Sequence, residues 1–290
     1  MSVIAIPNLP NKLRKPYIQP GKREKKAMTI ALGFPCLDGI VLCSDSQLTT
    51  PGIMKYHESK IHTVAWMSEE ANWTVGLTYS GDPDIMKSLF EKMNDALIAQ
   101  GHALTQPFVV EVLQQALIEV HTNSANIDAE YVDTICGIAI NGESIMYVGK
   151  RTTLHRERGI AVLGAGDSSL CRFLINTLPI SKKIHQMPMN TKTAQLLGVY
   201  IIEQAKQFVD GCGGDTYVTT IHNDKIAEEW NNKRSHHLDE LTVLAQNMQR
   251  RTKELLAILT DADNQEIGVF ENTVRTTKKQ VEGFYGLGLG

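Results

Sequence analysis

No run of about eighteen or more apolar residues occurs in the 290-residue chain, which excludes a membrane-spanning helix. CxxC pairs are missing as well. The five cysteines, Cys36, Cys43, Cys136, Cys171 and Cys212, are scattered and odd in number. That pattern predicts buried thiols in a reducing cytoplasm instead of disulfides or zinc ligands. There is no HExxH, and neither His57 with His62 nor His236-His237 with Asp239 has the i, i+4 spacing of a helical ligand pair, so no metal site is expected. An excess of basic charge is also lacking. The formal charge is −3, and residues 1–27 hold seven Lys and Arg against one Glu, leaving 22 basic and 31 acidic residues, −9, in the rest. A mildly acidic body of this kind carries no nucleic-acid signature. The short apolar run at the N-terminus precedes the basic residues and is broken by Pro7 and Pro10, the reverse of a signal peptide. Residues 1–28 are therefore expected to be a solvated, disordered Pro- and Lys-rich extension.

With 42% hydrophobic and 21% charged residues, the remainder has the composition of a soluble globular domain, and no internal repeat divides it. Thr29 to Phe34 alternates Ile30, Leu32 and Phe34 with smaller residues, the period of a half-buried strand, and Pro35 to Gly39 reads as its turn. Ile40 to Cys43 is apolar without alternation, as in a strand covered on both faces, and delivers Asp45 at its end. Ile61 to Trp66 and Trp73 to Tyr79 read as a second hairpin. Asp82 is then placed to cap a helix that opens on Pro83, buries Ile85, Leu89, Met93 and Leu97, and stops at Gly101. A second helix follows from Pro107 to Asn123. Val132 to Ile140 and Ser144 to Lys150 pair across Asn141-Gly142, a strong two-residue turn signal, and Ile160 to Leu163 continues the sheet. Helices follow Asp167 and span Thr191 to Val209. Strands over Asp215 to Ile221 and Ile226 to Trp230 come next, and Leu238 to Leu259 forms a last long helix. Strands arriving in adjacent groups fit antiparallel hairpins, not a βαβ repeat. The predicted class is α+β, two stacked antiparallel sheets flanked by helices. The domain is expected over 29–262, with a flexible tail at 263–290.

Three residue types in the first hairpin region belong together chemically. A threonine hydroxyl is a weak nucleophile at neutral pH and needs a base within hydrogen-bond reach. A free α-amine on the same residue can serve, since it titrates near ~8. A lysine beside the hydroxyl stabilises negative charge developing on oxygen, and an aspartate holds that lysine charged and oriented. Thr29, Asp45 and Lys60 lie in this order, sixteen and fifteen residues apart.

This stretch, with Met54-Lys55 and Ser59-Lys60-Ile61, resembles the start of the mature proteasome β subunit and of the peptidase of the bacterial ATP-dependent two-component protease. Both are N-terminal-nucleophile (Ntn) hydrolases. The likeness runs from Thr29 to about Trp230. It implies the four-layer αββα sandwich of that family and a threonine-type endopeptidase acting on peptide or unfolded-protein substrates. It further implies Thr29 as nucleophile, Lys60 and Asp45 as its support, no cofactor, self-association into a ring and an ATPase partner. Tyr79-Ser80-Gly81 corresponds to the family's small-residue turn, so the Ser80 or Gly81 backbone N–H would meet the oxyanion. Gly164-Ala165-Gly166 corresponds to a Gly-Ser-Gly turn whose serine supports the amine. Ala165 lacks that hydroxyl, which leaves Asp167, Ser168 or water to replace it. Asp210 and Cys212-Gly213-Gly214-Asp215 fall, one residue short, where β subunits carry Asp and Ser-Gly-Gly. Cys212 is read there as a packing residue.

The nitrogen of Thr29 is an amide as long as Met28 precedes it, so the chemistry requires a cut between Met28 and Thr29. Self-processing of residues 1–28 is one route, although the family commonly has glycine before the cut. Removal of Met28 as a true start by methionine aminopeptidase is another. Two further functional classes stay open: a catalytically silent ring or scaffold subunit, and an Ntn amidase acting on small amides.

Overall fold

The computed structural model describes residues 29–49, 55–69, 71–122, 131–164, 170–177, 189–209, 211–224, 228–231, 239–250 and 275–276. Strands β1 (Ile30–Cys36) and β2 (Gly39–Asp45) form the first hairpin, closed by Leu37 and Asp38. The short strands β3 (Gln47–Thr49) and β4 (Lys55–His57) pair with each other, and β5 (Ile61–Met67) and β6 (Asn72–Gly81) form the next hairpin. Helices α1 (Pro83–Gln100) and α2 (Gln106–Thr122) follow, then β7 (Val132–Ile140), β8 (Glu143–Lys150), β9 (Thr153–Glu157) and β10 (Ala161–Gly164). Helices α3 (Leu170–Thr177) and α4 (Thr191–Phe208), strands β11 (Thr216–His222) and β12 (Glu228–Asn231), and helix α5 over 239–250 complete the order.

Two five-stranded antiparallel sheets result, ordered β10-β1-β2-β11-β12 and β5-β6-β7-β8-β9. Apolar side chains fill three separate layers. Ile30, Leu32 and Phe34 meet α4 and α5 on one outer face, Trp73, Val75 and Leu77 meet α1 and α2 on the other, and Leu42, Ile135 and Ile221 lie between the sheets. Helix, sheet, sheet and helix are thus stacked in the expected αββα order.

Several local expectations are corrected. Strand β1 is buried on both faces, not half-buried, because its alternation is of large and small residues. Ile30, Leu32 and Phe34 face the helices, and the intervening Ala31 and Gly33 let the second sheet approach. A Cβ on Gly33 would lie 2.6 Å from Ile135 Cγ2, and one on Gly76 would lie 2.6 Å from Ile221 Cδ1. The turn between β1 and β2 is shorter than Pro35–Gly39, since both Pro35 and Gly39 are paired in the ladder. The buried stripe of α1 runs through Met86, Leu89, Met93 and Leu97, with Ile85 only partly covered. Among the described residues six strands, not four, precede α1. The Asn141-Gly142 turn is present, with φ of 51° and 88° respectively, the pair of positive values that such a two-residue turn requires.

Candidate active site

The first hairpin decides where two of the site residues lie. Ala31 is opposite Ser44 in the β1–β2 ladder, so Asp45, the last residue of β2, falls beside the start of β1. Its Oδ1 accepts the Thr29 hydroxyl at 3.0 Å and the Ile30 N–H at 3.2 Å. Its Oδ2 accepts the Gly213 N–H at 3.0 Å.

Lys60 comes from the other sheet, at the residue before β5, and is 0% exposed. Its Nζ donates to Asp45 Oδ1 at 2.6 Å, to the Gln47 carbonyl at 2.6 Å, and to Thr29 Oγ1. An ammonium has three donors and no acceptor, and here every donor has a partner. Burial pulls the Lys60 pKa below the ordinary lysine value, and the Asp45 carboxylate opposes that pull through its charge and its hydrogen bond. Bringing the two charges out of water is costly, and the contact between them offsets that only because the geometry is complete. Thr29 is 3% exposed, and its hydroxyl gives its hydrogen to a carboxylate while a cation sits on its oxygen. The ammonium favours negative charge on that oxygen, and the carboxylate opposes it while keeping the ammonium in place.

The end of β6 reaches the same place. Gly164 has φ +83°, and a Cβ there would lie 2.0 Å from the Thr29 carbonyl oxygen and 2.9 Å from Ser80 Oγ. Thr29 from one sheet and Ser80 from the other thus converge on a backbone that has no room for a side chain. Gly81 ends β6 at φ +129°, where a Cβ would lie 2.0 Å from the Tyr131 carbonyl oxygen, and Asp82 begins α1 immediately after it.

Thr29, Asp45 and Lys60 are brought into direct contact, with Ser80 close by. Met28, Ala165, Asp167, Ser168 and Asp210 lie outside the described residues. Cys212 is 7% exposed, and its thiol is pushed up to about 12, first by burial and then by the Asp45 carboxylate, with the Lys60 ammonium opposing. It stays protonated at neutral pH and packs in the α4 layer, as a structural cysteine does. The sequence offered no sign of Gln47, whose carbonyl holds Lys60, and marked Gly213 only as part of the 212–215 motif, without the bond its N–H gives Asp45. Both act through the backbone, so residue type gave no signal for either.

No protein-family model and no curated protein matches the sequence. Solved structures do match the fold. Anbu, described as an ancestral beta-subunit, from Yersinia bercovieri superposes with a TM-score of 0.63 at 11% identity, over 82% of this chain and 100% of that one. A Gly-1 mutant of Anbu from Hyphomicrobium sp. strain MC1 gives 0.62 at 13% identity, over 79% of this chain and 99% of that one. Anbu in the helical assembly from Pseudomonas aeruginosa gives 0.60 at 12% identity, over 83% of this chain and 99% of that one. At such identities the likeness is one of architecture: this chain has a proteasome-like αββα fold, two antiparallel sheets between helices.

Proposed function

We propose that the chain is a threonine-type peptidase of the proteasome β kind, with Thr29 as nucleophile once the Met28–Thr29 bond has been cut. The observation that carries this reading is the fully buried contact of Lys60 with both the Thr29 hydroxyl and the Asp45 carboxylate. A lysine is rarely buried completely, and burying one beside a hydroxyl has a chemical use that packing alone does not supply.

In the reaction, Thr29 Oγ1 attacks the scissile carbonyl carbon and its proton passes to the freed Thr29 amine, directly or through a water. Lys60 stabilises the oxygen as it becomes negative, and Asp45 keeps Lys60 charged and aimed. The carbonyl oxygen, now an oxyanion, is met by the Ser80 or Gly81 N–H beside the N-terminus of α1, where the helix adds positive potential. Collapse expels the peptide amine, which takes the proton from the Thr29 ammonium, and leaves an ester on Thr29 that water hydrolyses by the same proton path. Self-association is part of the proposal, supported by the helical assembly of the Anbu complex from Pseudomonas aeruginosa. A ring of such sites would need an ATPase partner to deliver unfolded chains.

The test is intact mass and turnover on the same material. Protein expressed from Met1 should lose residues 1–28 and cleave fluorogenic peptides, and Thr29→Ala should reduce turnover to background. A full-length product silent toward peptides would overturn the reading in favour of a scaffold subunit. Turnover of small amides without peptides would replace it with an amidase.

A further inference from the structure

Outside the three residues already described, two sets of polar contacts meet at the turn over 212–215 and connect Asp45 with the surface. Asp45 Oδ2 is held by the Gly213 N–H at 3.0 Å. The Gly213 carbonyl accepts the Gln47 N–H at 3.1 Å, and the Asp215 N–H donates to Ser46 Oγ at 2.7 Å. The turn over 212–215 is thereby bonded to three successive residues, Asp45, Ser46 and Gln47. Ser46 Oγ then lies 3.3 Å from His57 Nδ1, on the short strand β4. A Cβ on Gly214, whose φ is +74°, would lie 2.2 Å from His57 Nδ1 and 2.3 Å from Ser46 Oγ, so the imidazole rests directly on the turn. Ser46 is 0% exposed, whereas His57 is exposed.

The hydrogen count fits one arrangement. Ser46 Oγ already accepts from Asp215, so its own hydrogen is free to go to His57 Nδ1, with the ring proton on Nε2. Without the imidazole, the Ser46 hydroxyl loses its acceptor, and its hold on the Asp215 N–H weakens.

We infer that His57, acting through Ser46, is a positioning residue for Asp45: it pins the 212–215 turn, and the turn fixes the carboxylate that aims Lys60. His57 touches neither substrate nor the reacting atoms. The inference deepens the peptidase reading and rests on it for its effect on turnover, but the clamp itself is a structural claim that can be read separately.

The experiment uses the full chain in four forms, wild type, His57→Ala, His57→Asn and His57→Gln, and measures backbone amide exchange together with steady-state kinetics on a fluorogenic peptide. Asn places an acceptor where Nδ1 lies, and Gln places it where Nε2 lies. Exchange at Gly213 and Asp215 should be about tenfold faster in His57→Ala and His57→Gln and return to the wild-type rate in His57→Asn. In the same two variants kcat should fall by about ten- to a hundredfold with KM unchanged, because a carboxylate displaced by a fraction of an ångström misaligns the nucleophile and not the substrate. Ser46→Ala, which keeps the ring and removes the link, should reproduce His57→Ala. Unchanged exchange at Gly213 and Asp215 in His57→Ala would overturn the inference whatever the activity. Equal loss of kcat in the Asn and Gln variants would do the same. Altered exchange in a chain whose wild type never turns over peptide would leave the clamp standing and remove the peptidase reading instead.

Discussion

The two outer faces of the sandwich are packed by different means. Helices α1 and α2 cover their sheet mainly with apolar side chains, Met86, Leu89, Met93 and Leu97 from one and Val109, Leu113 and Leu117 from the other, beside a few bonds to the strands, the Val132 N–H to His121 Nε2 at 3.2 Å and the Trp73 indole N–H to the Gly101 carbonyl at 2.7 Å. Helix α4 covers the other sheet with apolar residues and a set of directional bonds as well. Gln195 Nε2 donates to Thr220 Oγ1 at 2.7 Å, and Thr216 Oγ1 donates to Glu203 Oε1 at 2.7 Å, with Lys206 bonded to both Thr216 and Glu203. Asp38, in the β1–β2 turn, accepts the Thr191 N–H and hydroxyl at 2.8 Å each and so ties the start of α4 to the hairpin. Apolar contact is non-directional and fixes area more than register. Hydrogen bonds fix register. The directional face backs β2 and β11, where Thr216 stands opposite Asp45. Bonds between helix and strand side chains thus back the candidate nucleophile, while apolar burial is shared by both faces.

The largest test of that division is Lys60→Met, which removes the one cation from the buried cluster and leaves Asp45 without its counter-charge. Loss of the donor to Thr29 should lower kcat by about 10²–10³-fold, the scale for a single preorganised donor. The unpaired carboxylate should also cost about 3–5 kcal/mol of folding stability. Denaturant unfolding and peptide turnover on one preparation measure both. A stable variant with normal turnover would mean that Lys60 is a packing residue.

Lys60 also predicts opposite pH trends for stability and rate. Its folded pKa is lowered by burial below the unfolded value of 10.5. Between those two values the unfolded chain holds a proton that the native chain has lost, so native stability rises with pH across that window. Below the window the full burial cost is present. The rate runs the other way: as Lys60 loses its proton the donor to Thr29 Oγ1 is lost, and kcat falls. On the acid side, kcat should rise as the freed Thr29 amine deprotonates near ~8. A pH–rate profile beside a pH–melting profile checks the pair, and Lys60→Met should flatten the alkaline limb of both.

How much of this was readable in advance follows from range. The Asn141-Gly142 turn and the Asp82-Pro83 helix start depend on four or five neighbouring residues, and both were legible. Strand β9, Thr153–Glu157, was not: it is a mostly exposed edge strand bearing His155 and Arg156, and charge there hides the strand period. Strands β3 and β4 are three residues each, too short for any period to show. Thr29 and Asp45 could be paired from a hairpin register, but the burial of Lys60 could not, since a lysine beside Ser59 reads locally as solvated. Gly213 meets Asp45 across 168 residues of chain, and a backbone N–H leaves no mark on composition. For the same reason His57 was weighed only as a metal ligand.

A paired substitution, one on each face, puts the comparison itself at risk. Leu113, 0% exposed in the apolar layer, should cost about 2–5 kcal/mol as Leu113→Ala, with kcat per folded molecule unchanged. Thr216→Val removes the hydroxyl between Glu203 and Lys206 on the directional face and should cost less, about 1–3 kcal/mol, yet lower kcat severalfold by loosening β11 beside Asp45. Chemical denaturation followed by turnover at saturating peptide separates the two quantities. If Leu113→Ala lowers kcat as much as Thr216→Val, the two faces do not divide the work.

The smallest expected effect concerns Asp82, which belongs to the apolar side but stands next to Ser80 and Gly81. Its carboxylate accepts the Asp84 N–H at 2.8 Å and the Ile85 N–H at 3.1 Å, capping α1 ahead of Pro83. Asp82→Ala should therefore cost about 1 kcal/mol. Asp82→Ser, which keeps a capping oxygen, should cost a few tenths of that. The charge has a second consequence, because a carboxylate at a helix N-terminus cancels part of the positive potential that would otherwise reach an oxyanion beside it. Asp82→Ser removes the charge and keeps the cap, so it should leave melting almost unmoved and raise kcat slightly, by less than about threefold at low salt, with the gain shrinking as salt screens it. A fall in kcat for Asp82→Ser would show that the start of α1 does not support the developing negative charge, and would confine the oxyanion role to the backbone of Ser80 and Gly81 alone.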